Sequence, residues 1–119
     1  QTKSLVDALT TVPREHFLRP GPWQMVGEED FGGARQTPDA DPRHVYQNAS
    51  IAIDPARQLF NGAPSAVTPC IDALGLRSGE AVLHVGCGLG YYSAVMAHCV
   101  GPSGRLVAIE AECPSGKPA

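Results

Sequence analysis

Residues 80–110 read EAVLHVGCGLGYYSAVMAHCVGPSGRLVAIE, and this stretch decides the fold. It opens with an apolar run, Ala81–Val85, whose β-branched and aliphatic side chains are typical of a strand buried on both faces. A helical pattern follows over Tyr91–Val100, because apolar side chains recur three or four positions apart. After a Gly-Pro-Ser-Gly turn, a second apolar run covers Leu106–Ile109. The order of strand, helix and strand predicts a β-α-β unit.

Three glycines, Gly86, Gly88 and Gly90, occupy the loop between the first strand and the helix. Without Cβ atoms, such a loop turns sharply and lets its backbone N–H groups approach a ligand closely. Glu110 follows the second strand, where this architecture places a carboxylate that accepts hydrogen bonds from ribose hydroxyls. The pattern predicts a site for a cofactor that contains a nucleoside. Its candidate residues are Gly86, Cys87, Gly88, Leu89, Gly90 and Glu110.

The spacing of the glycines bears on which cofactor is bound. A dinucleotide-binding loop has its third glycine three positions after the second, which lets the helix direct its N-terminus at a pyrophosphate. Tyr91 stands at that position here. The loop therefore favours a cofactor without a pyrophosphate over NAD.

Three segments, VLHVGCGLGYYSAVMA, GPSGRLVAIE and, near the N-terminus, VPREHFL, resemble the protein-L-isoaspartate O-methyltransferase family. The resemblance implies S-adenosyl-L-methionine as the cofactor and a protein or peptide carboxylate as the methyl acceptor. It also implies an α/β, Rossmann-like methyltransferase fold with a largely parallel sheet. It extends from about Val12 to Glu110 and reaches only the first half of the family's domain.

The expected architecture is this fold truncated after the second strand of its parallel sheet, with an N-terminal helical extension. Residues 1–42 are expected to form the N-terminal helix and a Pro/Gly-rich loop, and residues 43–119 a partial cofactor-binding domain. Two parallel strands alone expose unpaired edges and apolar surface. Either the chain is a fragment of a longer product, or a second copy or the missing C-terminal half covers the edges.

Three functions are compatible with this pattern. The first is an S-adenosylmethionine-dependent methyltransferase of the isoaspartyl carboxyl type, or a diverged relative that acts on another protein or peptide carboxylate. The second is a truncated, catalytically inactive methyltransferase-like domain that serves as a binding or association module. The third is a nicotinamide dehydrogenase, which Tyr91 disfavours.

The sequence departs from the family at the acceptor side of the site. The family has a serine two residues before the proline that corresponds to Pro64; the ungapped match is Gly62, and a shift of one residue substitutes Asn61. Neither offers a hydroxyl, but the Asn61 amide can donate a hydrogen bond to a carboxylate, which makes Asn61 the candidate catalytic residue. The alternative is that Asn61 and Gly62 only form a turn. A helix is predicted over Ser65–Leu74, kinked at Pro69, with these inward residues: Ala66, Val67, Cys70, Ile71 and Leu74.

His84 is a second departure, because the family usually has an acidic residue at this position of the strand. If His84 faces the site, its neutral form supplies no negative charge near the cofactor's sulfonium, and its protonated form repels that sulfonium. If it faces the helix layer, it is a hydrogen-bonded core histidine. Both orientations are compatible with the sequence.

The N-terminal residues predict a short amphipathic helix that stops at Pro13. Its apolar side is expected to hold Leu5, Val6, Leu9 and Val12. Arg14, Glu15 and His16 follow, and they are interpreted as a solvated cluster that ties a loop to the sheet through ion pairs rather than as catalytic residues.

Residues 19–43 are predicted to be loop, because prolines and glycines interrupt every candidate element. Trp23 and Phe31 are expected to anchor this loop to the core. Short strands or extended segments are predicted within residues 43–53.

Composition and charge narrow the possible partners. The chain has 119 residues and a net charge of −3, without a basic stripe that would neutralise phosphates, so no nucleic-acid partner is expected. No apolar run is long enough to cross a membrane, and the expected location is the cytoplasm. Its four cysteines are spread without a metal-binding spacing, so reduced thiols and no metal site are expected.

Overall fold

The computed structural model describes residues 3–27, 33–57 and 59–111. The helices are α1 (Lys3–Thr11), α2 (Pro64–Leu74) and α3 (Tyr91–Val100), with 3₁₀ turns at Arg14–Phe17, Pro42–Val45 and Pro55–Arg57. The strands are β1 (Gln24–Gly27), β2 (Arg35–Gln36), β3 (Ala49–Asp54), β4 (Leu59–Asn61), β5 (Ala81–Val85) and β6 (Arg105–Ile109). Phe31 and Cys113, the fourth cysteine of the chain, lie outside the described residues.

The predicted β-α-β unit is confirmed. Strands β5 and β6 pair in parallel from Ala81 opposite Arg105 to Val85 opposite Ile109, and α3 connects them. Gly104 lets the connection close tightly, since a Cβ on it would lie only 2.5 Å from Val100 Cβ. The unit forms from signals close together in the sequence, namely two apolar runs, a glycine loop and a glycine turn.

Only one face of the two-stranded sheet is covered, so the prediction of a strand buried on both faces is wrong for β5. Val82 and Leu106 pack toward α3 and the core around it. On the opposite face, four aliphatic side chains are 47 to 67% exposed: Leu83, Val85, Val107 and Ile109. Within the described residues, the helix of the unit, α3, lies on a single side of the sheet.

A second, antiparallel sheet has the strand order β2-β1-β3-β4. Its strands β1 and β2 correct the prediction that residues 19–43 are entirely loop. Met25 is opposite Ile51, and such long-range pairing overrides the local turn signals of the Pro/Gly-rich sequence. Trp23 is buried in the core of this sheet, as expected. The predicted division of the chain after residue 42 runs through this sheet, because β1 pairs with β3.

The N-terminal helix packs against α3 with the predicted face, except at Val6. Leu5 and Ala8 are buried, Leu9 and Val12 pack partly against them, and Val6 is exposed. The prediction is wrong only at Val6, and Ala8 takes its place on the buried face, because alanine is small and gives a weak apolar signal.

Helix α2 begins at Pro64, a favoured first helical residue, and ends at Gly75, which adopts a left-handed conformation. It continues through Pro69. Ile71 is buried and Val67 is partly buried, as predicted. The expected burial of the remaining three positions is wrong, since these are exposed: Ala66, Cys70 and Leu74. Among the described helices, none combines the length and apolar character that a membrane crossing needs.

Candidate functional site

The glycine loop and Glu110 meet at one end of the parallel sheet. Because β5 and β6 run in the same direction and Val85 lies opposite Ile109, the residues after both strands emerge side by side. The loop is anchored there by Gly86 N–H and Cys87 N–H, which donate to the carbonyl oxygen of Ile109 at 2.8 and 3.2 Å. The main chain thus fixes the loop against the end of the neighbouring strand.

The Glu110 carboxylate faces the loop. Its Oε1 accepts a hydrogen bond of 2.9 Å from the backbone N–H of Gly88. A carboxylate has about four lone-pair sites, so this bond is compatible with further hydrogen bonds to a ligand's hydroxyl groups. The structure therefore brings together the two halves of the predicted cofactor site.

The conformation of the loop favours glycine at three of its positions. Gly86, Gly88 and Gly90 have φ angles of +74°, +59° and +97°, a region that residues with a Cβ rarely adopt. No atom of the described chain lies within 4 Å of a Cβ placed on Gly86, whereas one on Gly88 would lie 3.5 Å from Ile53 Cδ1. The main chain at Gly86 is consequently open to the approach of a ligand.

Cys87 and Leu89 complete the loop. Cys87 is a partly buried free thiol whose sulfur lies 3.8 Å from the carbonyl oxygen of Gly88. Leu89 lines a hollow of about 290 Å³ together with residues 16–19 of the N-terminal segment. This hollow borders the glycine loop on the side of the 3₁₀ turn.

His84 faces the helix layer, which decides between the two predicted orientations. Its Nδ1 lies 2.6 Å from Ser93 Oγ in the first turn of α3. Burial lowers the pKa of His84, and the charge of Glu110 opposes this shift in part. The histidine is therefore a hydrogen-bonded residue between the sheet and α3, and its neutral form dominates near pH 7.

Tyr91 fills the place that a third glycine takes in a dinucleotide site. It is buried at the start of α3, and its ring lies 6.1 Å from the ring of Phe17 and 4.8 Å from that of Tyr92, measured between centroids. Burial raises its pKa, while the positive charge of Arg14 opposes the shift. A residue of this size ties the helix to the N-terminal segment, where a glycine would have left room for a pyrophosphate.

Asn61, the predicted acceptor-side residue, lies at the end of β4 and is largely buried. Its Oδ1 accepts a 2.8 Å hydrogen bond from Arg14 Nε. The next residue, Gly62, offers its carbonyl oxygen to Tyr92 Oη at 2.6 Å. The segment thus connects the antiparallel sheet to α3, and its position relative to a substrate stays a prediction.

Arg14 is the residue of this region that sequence reasoning misjudged. Its side chain is 2% exposed, and it contacts neutral oxygen atoms instead of the expected ion-pair partners. The guanidinium donates to Asn61 Oδ1 and to the carbonyl oxygens of Val45, Gln47, Ala49 and Gly62, at 2.8 to 3.3 Å. Burial lowers its pKa, an effect that nearby tyrosines partly oppose. The VPREHFL motif is the sequence signal that singles out Arg14. The charged residues clustered within it favour a solvated surface instead of burial.

No metal site is found within residues 3–27, 33–57 and 59–111, where no three His, Cys, Asp or Glu side chains lie close enough to share an ion. The three described cysteines, Cys70, Cys87 and Cys99, are free thiols.

A glycine loop faced by a carboxylate across the ends of two parallel strands, with a tyrosine in place of the third glycine, defines a Rossmann-like domain of the methyltransferase type. A family model described as protein-L-isoaspartate(D-aspartate) O-methyltransferase matches residues 34–113. The chain belongs to this family.

Curated relatives and a solved structure agree with the family match. A protein-L-isoaspartate O-methyltransferase of Methanothrix thermoacetophila is 32% identical over 109 residues, and one of Methanococcus aeolicus is 49% identical over 110 residues. Each match covers 92% of this chain, but only 42 and 41% of the respective relative. A solved protein-L-isoaspartate O-methyltransferase superposes with a TM-score of 0.68 at 25% identity, covering 93% of this chain and 30% of that one. The chain thus spans well under half of the length of these proteins.

The residues present fit the cofactor that the family implies, S-adenosylmethionine. The open main chain at Gly86 permits close approach of a ligand, and Glu110 provides the acceptor that a ribose diol needs. A protonated His84 in the site would repel the sulfonium. The side chain of His84 points instead toward Ser93.

Proposed function

We propose that this chain is the cofactor-binding part of an S-adenosylmethionine-dependent methyltransferase that transfers a methyl group to a carboxylate of a protein or peptide. The observation that carries the proposal is the contact between Glu110 and Gly88 across the ends of β5 and β6. This contact brings a carboxylate beside a main chain that is open at Gly86, which supports Glu110 as the group that would accept from the ribose. Membership of the protein-L-isoaspartate O-methyltransferase family supports the same reaction.

The cofactor would be held by the loop residues Gly86, Cys87, Gly88, Leu89 and Gly90 and by Glu110. When bound, S-adenosylmethionine supplies a methyl group that its sulfonium has already activated. Glu110 would accept hydrogen bonds from the ribose hydroxyls, and the loop would bring its backbone against the ligand. Tyr91 and Phe17 keep the start of α3 packed, which holds the loop in place.

The acceptor needs little chemical help. A carboxylate is ionised and nucleophilic at neutral pH, so orienting it is the main task, and no general base is required. Asn61 would donate an amide hydrogen bond to that carboxylate. Its predicted role is therefore to orient the acceptor rather than to transfer a proton.

A second candidate function is a catalytically inactive binding or association module. It is favoured by the open sheet face of Leu83, Val85, Val107 and Ile109. Exposed contiguous apolar surface often marks an interaction site. Such a module would bind through this face, whether or not the cofactor site is used.

Calorimetric titration separates these functions. Saturable binding of S-adenosylhomocysteine without binding of NAD supports the methyltransferase, binding of neither supports the association module, and binding of NAD alone would revive a dehydrogenase. Incubation with an isoaspartyl peptide and methyl-labelled cofactor then measures transfer. Tight cofactor binding without any label on the peptide would remove carboxyl methylation as the activity of this chain.

A further inference from the structure

Arg14 fixes the orientation of the Asn61 amide. Arg14 Nε lies 2.8 Å from Asn61 Oδ1. An arginine side chain has donors and no acceptor, so the amide atom that faces it is the oxygen. The donor end of Asn61, Nδ2, is the end that Arg14 does not hold.

Arg14 itself has little freedom to move. Its terminal nitrogens donate to the carbonyl oxygens of Val45 and Ala49, both at 2.9 Å, and more weakly to two further carbonyls. One of these, Gly62 O, is also held by Tyr92 Oη at 2.6 Å. The amide of Asn61 and the backbone that follows it are therefore restrained from two sides. An asparagine in solution can present either its donor or its acceptor end, but this one cannot exchange them without losing the bond to Arg14.

The guanidinium also brings its positive charge close to Asn61. All five oxygens that it contacts are neutral. The neighbouring carboxylate, that of Glu15, instead accepts a hydrogen bond from Tyr46 Oη. In a buried environment such a charge polarises the amide bonded to it and strengthens the amide's donor end.

We propose that Arg14 is a positioning residue that makes Asn61 an obligate donor and thereby favours a carboxylate, whose charge strengthens the hydrogen bond, over the neutral oxygen of a carboxamide at the acceptor side of the site. The inference rests on the proposed function, because it takes Asn61 as the group that meets the methyl acceptor. Arg14 acts through Asn61 and does not touch the acceptor.

The side-chain amide of Asn61 is a direct probe of this arrangement. The chain has two asparagines, Asn48 and Asn61, so labelling with ¹⁵N-asparagine gives two side-chain NH₂ signals, and Asn48 is an internal control. Asn48 Oδ1 accepts from the backbone N–H of Ser65 instead of from an arginine. The protein is titrated with an isoaspartyl peptide and with the same peptide carrying a carboxamide at that position. We expect the carboxylate peptide to shift the Asn61 NH₂ signal saturably and to bind about tenfold or more tightly than its carboxamide counterpart.

Two variants separate the positioning role from a merely structural one. Asn61→Asp keeps an oxygen for Arg14 Nε but replaces the donor by a second acceptor, so it should stay folded and lose the preference for the carboxylate peptide. Arg14→Lys keeps the charge but cannot donate to five oxygens, so it no longer fixes the amide of Asn61. The preference for the carboxylate peptide over the carboxamide peptide should therefore fall. The readout is the ratio of the two peptide affinities, which a general loss of stability does not change.

The inference is overturned if neither peptide binds, if only the Asn48 signal shifts, or if folded Asn61→Asp keeps the carboxylate preference. Titration of the same samples with S-adenosylhomocysteine distinguishes this failure from failure of the proposed function. If the cofactor binds but the Asn61 signal does not shift, the proposed role of Arg14 and Asn61 is wrong and the methyltransferase proposal still holds. If the carboxylate peptide shifts the Asn61 signal but the cofactor does not bind, the role of Arg14 and Asn61 is supported and the methyltransferase proposal is wrong.

Discussion

Replacing Arg14 by methionine tests the energetic role of its buried guanidinium. Methionine is unbranched and apolar, so it keeps most of the packing of the arginine stem while removing every donor. The side chain is 2% exposed in the native protein, and water cannot readily replace the lost donors. The change therefore isolates the hydrogen bonds that join the N-terminal segment to the antiparallel sheet.

The expected loss follows from the acceptors left behind. The three shortest bonds of Arg14 end on Asn61 Oδ1, Val45 O and Ala49 O, at 2.8 to 2.9 Å. A buried polar group without a partner costs about 1 to 3 kcal/mol. Removing the charge offsets part of this cost, because a buried charge is itself unfavourable. The lowered pKa of Arg14 reflects that burial disfavours its protonated form. We expect a net decrease of about 3 kcal/mol in the free energy of unfolding.

Urea unfolding followed by tryptophan fluorescence measures this loss. Trp23 is the chain's one tryptophan and is buried in the same core cluster as Val45 and Ala49. The matched control is Arg43→Met, because the Arg43 side chain is 90% exposed and pairs with Asp41 at the surface. The control should unfold at the same urea concentration as the parent protein. An Arg14→Met midpoint equal to or above that of the parent would refute the reasoning.

Three further predictions concern the β-α-β unit. Gly104→Ala should lower the free energy of unfolding by about 3 kcal/mol, because the alanine Cβ would lie 2.5 Å from Val100 Cβ. Thermal unfolding measures this loss, and an unchanged midpoint would contradict the prediction. Glu110→Gln should weaken S-adenosylhomocysteine binding about tenfold by calorimetry, because it removes the charge while an amide oxygen still accepts from Gly88; unchanged affinity would exclude the carboxylate as a ligand. Burial lowers the pKa of His84, so the unfolded chain binds a proton at higher pH than the folded chain, and stability should fall as the pH drops below about 6.5. Urea midpoints at pH 7.5 and 5 should differ less in His84→Gln than in the parent, and an equal difference would assign the pH effect to other groups.

The β-α-β unit could be predicted because its signals are local. The apolar run Ala81–Val85, the glycine loop and the helix Tyr91–Val100 appear in the structure with the expected bounds. The contact of Glu110 with the loop follows from parallel pairing, which places the residues after both strands at the same edge. The exposed opposite face of β5 could not be inferred from the strand's own sequence, since its composition is that of a doubly covered strand.

The antiparallel sheet and the role of Arg14 depend on contacts between distant parts of the chain. Strand β1 pairs with β3. The Pro/Gly-rich sequence around β1 does not predict this pairing. Arg14 is buried because five oxygens from segments more than thirty residues away converge on it, an arrangement that charge patterns do not reveal. His84 was ambiguous for the same reason, because its orientation depends on Ser93 in the following helix.

The central claim is that the glycine loop and Glu110 bind the nucleoside part of S-adenosylmethionine. Its most direct test is a ¹H–¹⁵N titration of ¹⁵N-glycine-labelled protein with S-adenosylhomocysteine. The account predicts that the amide signals of Gly86, Gly88 and Gly90 shift saturably while that of Gly75, at the end of α2, stays in place, and that NAD leaves all four unchanged. Unmoved loop signals at saturating S-adenosylhomocysteine, or equal shifts with NAD, would contradict it.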